Sequence, residues 1–298
     1  MGVVKSKVSP VTLPATFVGR RLLRKEDTRF LTGAARYVGD AGPPRMLHIT
    51  FVRSTHAHAR IGRIRLEAAL AVPGVVAAYT GTKIHALAKP IRTPFGAASY
   101  KETDYPLLAT GKVRFAGEPL VAIAAGSRYV AEDAAALVDV EYQPLEPLVS
   151  IDDAITASSV LVHDGLAGNL YCDERQTYGD VDAARAAAAF AVEATFRTQR
   201  SSAMPLECRG AMAEHDAGTG RLTLWTSTQL PHVVRYGLAE CLGMPEDAIH
   251  VLSPDVGGGF GNKASLDPEQ VIVCAIARDL GRPVRWIEDR RENFLASS

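Results

Sequence analysis

The sequence is poor in cysteine and has no cysteine cluster. Its four cysteines, Cys172, Cys208, Cys241 and Cys274, are separated from one another by more than thirty residues. Structural zinc sites and iron–sulfur clusters need closely spaced ligands such as CxxC, so this spacing excludes such a centre within the chain. A few scattered cysteines are also typical of a reducing compartment, and we expect a cytoplasmic protein.

The sequence also lacks an excess of charge of either sign and a long apolar run. Thirty-three Lys and Arg residues balance thirty-three Asp and Glu residues, so no overall field attracts nucleic acid or an anionic membrane. No stretch approaches the roughly eighteen apolar residues of a membrane helix, and charged residues follow Arg20 and Arg21 where a twin-arginine signal has an apolar segment. We therefore expect no membrane span, no export and no nucleic-acid partner.

What is present is the composition of a globular protein. The 298 residues are 47% hydrophobic and 22% charged, which argues against disorder. At roughly 150 residues a domain, this length predicts two domains. Residues 1–19 are rich in Val, Pro and Thr without a period, and we expect an extended arm there.

Alternation of apolar and polar residues, together with Gly and Pro positions, predicts the elements. In the first half, strands are predicted at residues 46–53, 60–65, 75–80, 120–125 and 138–142, with a helix at 127–137 and a long loop at 91–107. The helix and the strands on either side of it suggest a β-α-β unit that ends the first domain near residue 150. In the second half, helices are predicted at residues 181–190, 231–242 and 268–280, and strands at 191–199, 221–227, 249–253 and 283–288.

A glycine-rich loop at residues 255–263 (DVGGGFGNK) lies between a predicted strand end and a predicted helix start. Consecutive glycines suit a backbone with positive φ or a close approach by a ligand. The loop lacks the pattern of a Walker A motif or a dinucleotide fingerprint, because Asn262 stands where each needs a small residue. A plain tight turn remains the alternative interpretation.

Four other features are candidates for chemistry. Ser227, Thr228 and Gln229 end a strand and either contact a ligand or, more simply, let Thr228 cap the next helix. Glu207 is either an acid–base group or, more commonly for this spacing, an ion-pair partner of Arg209. His56 and His58 would point to one face of a strand, but nothing nearby completes a metal site, so packing is favoured. Cys241 and Cys274 lie on apolar helix faces and are expected in the core, whereas Cys208 has polar neighbours.

Seven motifs occur along nearly all of the chain after residue 20. They are residues 24–33 (RKEDTRFLTG), 51–61 (FVRSTHAHARI), 73–75 (PGV), 112–119 (KVRFAGEP), 227–229 (STQ), the glycine loop and residues 286–293 (WIEDRREN). Taken together and in this order, they resemble the molybdopterin-binding large subunit of the xanthine dehydrogenase, aldehyde oxidase and aerobic carbon monoxide dehydrogenase family.

The resemblance implies an α+β fold, with an α/β hammerhead domain followed by the first part of a molybdopterin-binding domain. On that basis we expect an arm at residues 1–19, the hammerhead at 20–150, a linker at 151–164 and a truncated molybdopterin-binding domain at 165–298. The HxH pair would belong to the hammerhead and hold no metal. By correspondence with the family, the residues expected to bind the cofactor are Gln229, Gly257, Gly258, Gly259, Phe260 and Gly261.

The implied function is that of a molybdenum hydroxylase, which oxidises an aldehyde, an N-heterocycle or a related small substrate with water as the oxygen source. The implied cofactor is molybdopterin with molybdenum, in the cytosine dinucleotide form. Because this chain lacks clustered cysteines, the 2Fe-2S centres and FAD are expected on an iron–sulfur small subunit and an FAD-binding medium subunit.

The sequence departs from the family pattern in two ways. Asn262, Lys263 and Ala264 follow the glycines where xanthine-oxidising members carry Gly-Lys-Glu, which argues against a purine substrate. Family subunits also continue far past the position of Ser298, so the general-base glutamate, which lies near their far end, is expected beyond Ser298. We therefore expect no catalytic residue in this chain and no activity by the chain alone. A further expected partner is the rest of the large subunit or a second copy of this chain. The alternative is a noncatalytic assembly module or an inactive fragment that does not hold cofactor by itself.

Overall fold

The computed structural model describes residues 18–40, 42–92, 97–156, 160–199 and 201–297. The arm predicted at residues 1–19 lies almost entirely outside these residues, as do positions 93–96 of the predicted loop. Ser298, beyond which the general base is expected, lies outside them as well. Contacts divide the chain into residues 1–35 and 36–298. In the first unit, the described residues contain one short helix, α1 (Asp27–Leu31).

The strands of the second unit form two sheets. They are β1 (Leu47–Arg53), β2 (Ala59–Arg65), β3 (Val75–Thr80), β4 (Lys112–Val113), β5 (Pro119–Ala125), β6 (Asp139–Pro144), β7 (Gly210–Asp216), β8 (Arg221–Thr226), β9 (Ile249–Leu252) and β10 (Val284–Ile287). The larger sheet has the order β3-β5-β1-β10-β7-β8-β9, and the smaller has the order β4-β2-β6. The larger sheet is mixed, because β1 pairs with β10 and β8 pairs with β9 in parallel while its other pairs are antiparallel.

Helices of different lengths connect these strands. They are α2 (Glu67–Leu70), α3 (Gly81–His85), α4 (Arg128–Ala136), α5 (Ile151–Thr156), α6 (Val181–Ala187), α7 (Pro231–Leu242), α8 (Pro268–Leu280) and α9 (Arg290–Ala296), with a 3₁₀ turn at Glu246–Ala248. Within the described part of the chain, no helix has both the length and the apolar character needed to cross a membrane.

The core lies around α8 and the centre of the large sheet. Every residue of α8 from Pro268 to Ala277 is buried, and β5 is buried along its whole length. A helix that is covered on all sides needs apolar residues around its whole circumference, and the run VIVCAIA in α8 provides them. Cys274 in α8 and Cys241 in α7 are both buried, so the expectation that they are core residues is confirmed.

Local signals placed the ends of α4, α7 and α8 correctly, whereas the helix predicted at residues 181–190 ends at Ala187. The Ser127 hydroxyl accepts a hydrogen bond from the Val130 amide at 3.2 Å and caps α4. Pro231 begins α7, and Gly243 ends it with φ +60°. Gly281 ends α8 with φ +58°. A left-handed residue at this position is favourable mainly for glycine, so these two stops were readable from the sequence.

The strand predicted at residues 191–199 is wrong. These residues have no regular secondary structure, although apolar and polar side chains alternate along them. Val192 is 86% exposed and Phe196 is 88% exposed. Alternation specifies the two faces of a strand but not the neighbouring strand whose backbone must pair with it. Within the described residues, no such neighbour pairs with this segment.

Two further differences concern the sheets. The prediction of a β-α-β unit within one sheet is wrong. Strand β5 lies in the larger sheet and β6 lies in the smaller one, so α4 connects the two sheets. Strand β7 was not predicted at all. Its sequence GAMAEHD has no β-branched residue, but β7 lies between β10 and β8 with its first four residues buried. Burial in the folded protein therefore stabilises this strand, although its residues have low intrinsic β-propensity.

The fold is α+β, as the sequence predicted. The large sheet takes β1, β3 and β5 from the first half of the chain and β7 to β10 from the second. The domain limits at residues 20–150, 151–164 and 165–298 remain predictions.

Candidate functional site

The glycine loop lies between the end of β9 at Leu252 and the start of α8 at Pro268. Three of its residues have positive φ: Gly258 at +96°, Phe260 at +55° and Gly261 at +96°. Phe260 is one of the few non-glycine residues in this conformation, which costs about 1 kcal/mol or more. Its side chain is 79% exposed. The loop therefore presents a strained, exposed aromatic residue beside a left-handed glycine.

Two glycines of the loop are required by close packing against protein side chains. A Cβ on Gly257 would lie 2.5 Å from Cβ of Glu207, and a Cβ on Gly259 would lie 2.4 Å from Oε1 of Gln229. By contrast, a Cβ on Gly261 would meet no atom of the described residues within 4 Å. The open side of the loop is therefore at Gly261, and it is here that a ligand can approach the backbone.

Gln229 is held against this loop by its backbone and its side chain. Its amide donates to the Lys263 carbonyl at 2.8 Å, and its Oε1 accepts from the Gly261 amide at 3.1 Å. Because the carboxamide oxygen is used by the loop, the contact that Gln229 can offer a ligand is donation from its NH2 group. The structure thus brings together the six residues predicted to bind the cofactor, Gln229 and residues 257–261.

Ser227 and Thr228 are buried and support the same junction. The Ser227 hydroxyl accepts from the Gly210 amide at 3.2 Å. The Thr228 hydroxyl donates to the Lys263 carbonyl at 3.2 Å and accepts from the Leu230 amide at 3.1 Å. The N-cap of α7 is Leu230, so the simpler interpretation of Thr228 as the cap is wrong. Thr228 instead ties the end of β8 to the glycine loop.

Glu207 pairs with a partner that the sequence did not suggest. The predicted ion pair with Arg209 is wrong, because the Glu207 carboxylate bonds Nζ of Lys263 at 2.8 Å and the amide of Gly257 at 2.8 Å. The Lys263 side chain has no exposed surface. Nothing in the sequence signals this burial, because a lysine in a polar loop is ordinarily solvated.

Arg209 belongs to a different, buried network. It bonds Glu288 at 2.6 Å and lies 3.2 Å from Asp267 and 3.6 Å from Glu269. Burial opposes the charge of Arg209, but the neighbouring carboxylates outweigh burial and raise its pKa well above its ordinary value. Burial raises the pKa of Asp267 to about 6, although Arg209 opposes that shift.

The remaining candidate residues, the two histidines and Cys208, are packed against other parts of the protein. His56 and His58 lie between β1 and β2 and not on a strand, so the geometry expected of the HxH pair is wrong. The His56 ring stacks on Tyr142 at 4.4 Å between centroids, and His58 Nδ1 lies 2.7 Å from the Glu146 carbonyl oxygen. Cys208 is half-buried, and burial raises the pKa of its thiol, which argues against a nucleophile.

The arrangement at the glycine loop fits a cofactor that carries both hydrogen-bond acceptors and hydrogen-bond donors. The Gln229 carboxamide provides donors, and the open backbone at Gly261 provides a surface that a bulky group can approach. Asn262 adds a buried side-chain oxygen, Oδ1, that has no hydrogen-bond partner among the described residues. An unpaired buried acceptor of this kind is costly unless something donates to it.

Comparisons with known proteins match both halves of the chain. Residues 32–146 match the a/b hammerhead domain of aldehyde oxidase and xanthine dehydrogenase. Residues 162–298 match the molybdopterin cofactor-binding domain.

Relatives of known function are similar over nearly the whole chain. The nicotine 6-hydroxylase large subunit of Paenarthrobacter nicotinovorans is 40% identical, over 94% of this chain and 34% of the relative. The carbon monoxide dehydrogenase large chain of Hydrogenophaga pseudoflava is 36% identical, over 93% of this chain and 36% of the relative. This chain therefore spans about a third of the length of these relatives.

Solved structures give the same result. The crystal structure of quinoline 2-oxidoreductase from Pseudomonas putida 86 superposes with a TM-score of 0.88 at 43% identity, covering 93% of this chain and 35% of that one. A copper- and molybdenum-containing carbon monoxide dehydrogenase superposes with a TM-score of 0.82 at 35% identity, covering 94% of this chain and 36% of that one. The chain belongs to the xanthine dehydrogenase, aldehyde oxidase and carbon monoxide dehydrogenase family, in which it corresponds to the N-terminal portion of the molybdopterin-binding large subunit.

Proposed function

We propose that this chain forms part of the pterin pocket of a molybdenum hydroxylase. The observation that carries the proposal is the geometry of the glycine loop at its open side, Gly261. There the Gly261 amide bonds Oε1 of Gln229, which leaves the NH2 group of that side chain for a ligand. In this proposal, Gln229 donates to an acceptor atom of the cofactor. The backbone from Gly257 to Gly261 forms the surface against which the cofactor lies, and Phe260 covers one side of it.

The bound cofactor supplies the oxidation chemistry, and the chain supplies binding and orientation. We assign no catalytic residue to this chain. Because the largely buried Glu207 carboxylate is held by Lys263 and by the Gly257 amide, it is not available as a general base. The chain is inactive by itself in this proposal, and the general base comes from a part of the large subunit beyond Ser298.

The proposed substrate is a small electron-poor molecule, either an aldehyde or an N-heterocycle, which is oxidised with water as the oxygen source. Two similar proteins are named for nitrogen heterocycles, nicotine in one and quinoline in the other. They support the N-heterocycle as the first class to test.

The proposal includes three partners: an iron–sulfur small subunit, an FAD-binding medium subunit and the remaining part of the large subunit or a second copy of this chain. Similar proteins are named as large subunits or large chains, which supports an assembly of several subunits. The cofactor is proposed to be the cytosine dinucleotide form. All four cysteines are free, which supports a reducing, cytoplasmic location.

Cofactor content tests this proposal against the alternative of a noncatalytic assembly module. The chain is purified alone and after coexpression with the remaining two thirds of a related large subunit and with both electron-carrying subunits. Molybdenum and pterin are then measured per chain. We expect about one equivalent of each in the assembled complex. Absence of both from a complex that has assembled would support the noncatalytic module.

Gln229→Ala tests the residue that faces the cofactor. The substitution removes the donor to the cofactor, and we expect turnover in the assembled complex to fall by about tenfold or more, as for other groups that orient a metal centre. Gln143→Ala, on the exposed strand β6, is the matched control and should leave turnover unchanged. Equal turnover of the wild-type and Gln229→Ala complexes would contradict the assigned role.

A further inference from the structure

We infer that Glu207 and Lys263 are positioning residues that hold the two ends of the glycine loop in the shape that receives the cofactor. The inference rests on the proposed function, because it assigns this pair a role in the same pocket. No described atom of either residue lies within 4 Å of a Cβ placed on Gly261, so we assign them an action through the loop backbone. We call the pair the loop clasp.

The clasp joins both ends of the loop at a single carboxylate oxygen. Oε2 of Glu207 accepts from the amide of Gly257 at 2.8 Å and from Nζ of Lys263 at 2.8 Å. The Glu207 amide also donates back to the Gly257 carbonyl at 3.2 Å. Gly257 begins the glycine run and Lys263 ends the loop, so one oxygen atom bonds both of these residues.

The burial of the clasp argues that it does more than stabilise the fold. The Lys263 side chain has no exposed surface, and that of Glu207 is only 18% exposed. The free energy needed to remove two charges from water is about as large as the free energy gained from their attraction. Apolar residues of the same volume therefore often stabilise a core equally well. A buried pair whose carboxylate also bonds a loop amide instead fixes geometry, which apolar side chains cannot do.

The loop needs such a restraint because its backbone is strained. Gly258, Phe260 and Gly261 all have positive φ. Residues in sparsely populated conformations persist only where their surroundings determine them strongly. The clasp holds the ends, and the bond from the Gly261 amide to Gln229 holds the middle. If the clasp opens, the backbone against which the Gln229 carboxamide is oriented loses its restraint at Gly257.

Hydrogen exchange in the cofactor-free chain tests the clasp without any reference to activity. The variants are Glu207→Gln, which removes the charge and keeps an acceptor, and Lys263→Met, which keeps the length and removes the ammonium. Glu118→Gln, at another buried carboxylate that bonds a backbone amide, is the matched control. Exchange is compared between residues 256–263 and the interior of α8 at residues 271–277.

We expect exchange at residues 256–263 to be faster by on the order of tenfold in both clasp variants, since a charge-assisted hydrogen bond is lost. Exchange at residues 271–277 should stay near the wild-type rate, and Glu118→Gln should leave the loop unchanged. Unchanged exchange at the loop would overturn the inference. An equal increase at both segments would also overturn it, because the pair would then only stabilise the fold.

Cofactor retention in the assembled complex separates positioning from stability. The double variant Glu207→Gln/Lys263→Met removes both buried charges, so its thermal midpoint should recover toward wild type relative to the single variants. We expect its molybdenum and pterin content to remain about tenfold below wild type, in the range of other groups that support a metal centre. Full recovery of cofactor content together with stability would contradict a positioning role. If the wild-type complex itself holds no cofactor, the proposed function is contradicted. The hydrogen-exchange rates at residues 256–263 then still decide whether Glu207 and Lys263 hold the loop.

Discussion

Gly257 and Gly259 are glycines for a steric reason that concerns the protein itself. Their missing Cβ atoms leave space for Glu207 and Gln229, whereas a Cβ on the open side at Gly261 would meet no atom within 4 Å in the part of the chain that the structure describes. A run of glycines therefore combines two different requirements. Two positions admit side chains that shape the loop, and one leaves the backbone accessible.

Gly259→Ala should disturb the site through Gln229. The new Cβ would lie 2.4 Å from Oε1 of Gln229, so the carboxamide or the loop must move. We expect a loss of about 1–3 kcal/mol in the free energy of unfolding, as is common for overpacking. Chemical denaturation measures this loss, and Gly165→Ala is the control because a Cβ there meets none of the described atoms within 4 Å. Equal stability of both variants would show that the contact with Gln229 is unimportant.

The four thiols should differ in reactivity because they differ in burial. Burial raises the pKa of Cys241 to about 11, so only about one part in a thousand is thiolate at pH 8. Burial also raises the pKa of Cys274. In the native chain we expect iodoacetamide to label Cys172 and Cys208, which are half-buried, well before Cys241 and Cys274. Mass spectrometry of peptides follows the labelling, with denatured chain as the control. Fast labelling of Cys274 in native protein would contradict the fold of α8.

At the scale of elements, α8 begins at a charged junction and then runs through the apolar core, in which it is buried as far as Ala277. Asp267 precedes its first residue, and the amide of Asp267 donates to the Gln270 side chain at 2.9 Å. Asp267 and Glu269 lie beside Arg209, which directly precedes β7. The start of this helix therefore joins the glycine loop to the buried ionic network.

The stability of this junction should fall as pH rises. The pKa of Asp267 is raised from 3.8 to about 6 on folding, so between these values the folded state binds more protons than the unfolded state. Stability contributed by this carboxyl is then fully present below about pH 4 and is lost as pH rises through about 6. Asp267→Asn does not titrate, and its thermal midpoint relative to wild type should rise from pH 4 to pH 7. A constant difference between the two proteins over this range would contradict the shift.

On the scale of the whole second unit, an ionic network joins the two halves of the chain. Arg53 in β1 bonds Glu269 in α8 at 2.8 Å and Glu292 in α9 at 2.9 Å. Arg209 continues the network to Glu288 after β10. Strands from both halves also lie in one sheet. Residues 36–298 are therefore expected to unfold together.

Arg53→Met tests this coupling. The substitution removes the shared partner of two buried carboxylates, so that Glu292 loses its arginine and Glu269 keeps only Arg209 at 3.6 Å. We expect a loss of about 3–5 kcal/mol in the free energy of unfolding. The loss should appear in a single transition seen equally by probes in the first and second halves of the chain. Arg65→Met removes an exposed pair with Asp139 and is the control, with little expected change. Separate transitions for the two halves would contradict a shared core.

The sequence by itself determined the features that depend on neighbours along the chain. Ser127, Pro231, Gly243 and Gly281 act within one helical turn, so the ends of α4, α7 and α8 were readable. The order of motifs identified the family, and it located Gln229 and the glycine loop as the cofactor-binding residues, which remains a prediction.

Only the tertiary structure decided which distant groups meet. Glu207 was expected to bond Arg209 two residues away, but the fold brings Lys263 to it and gives Arg209 to Glu288. Likewise, residues 191–199 alternate like a strand and form none, whereas β7 lacks strand propensity and lies inside the sheet. The physical reason is the same in each case. Burial, ion pairing and strand pairing depend on which surfaces the fold places in contact, and a local pattern specifies only one of the two partners.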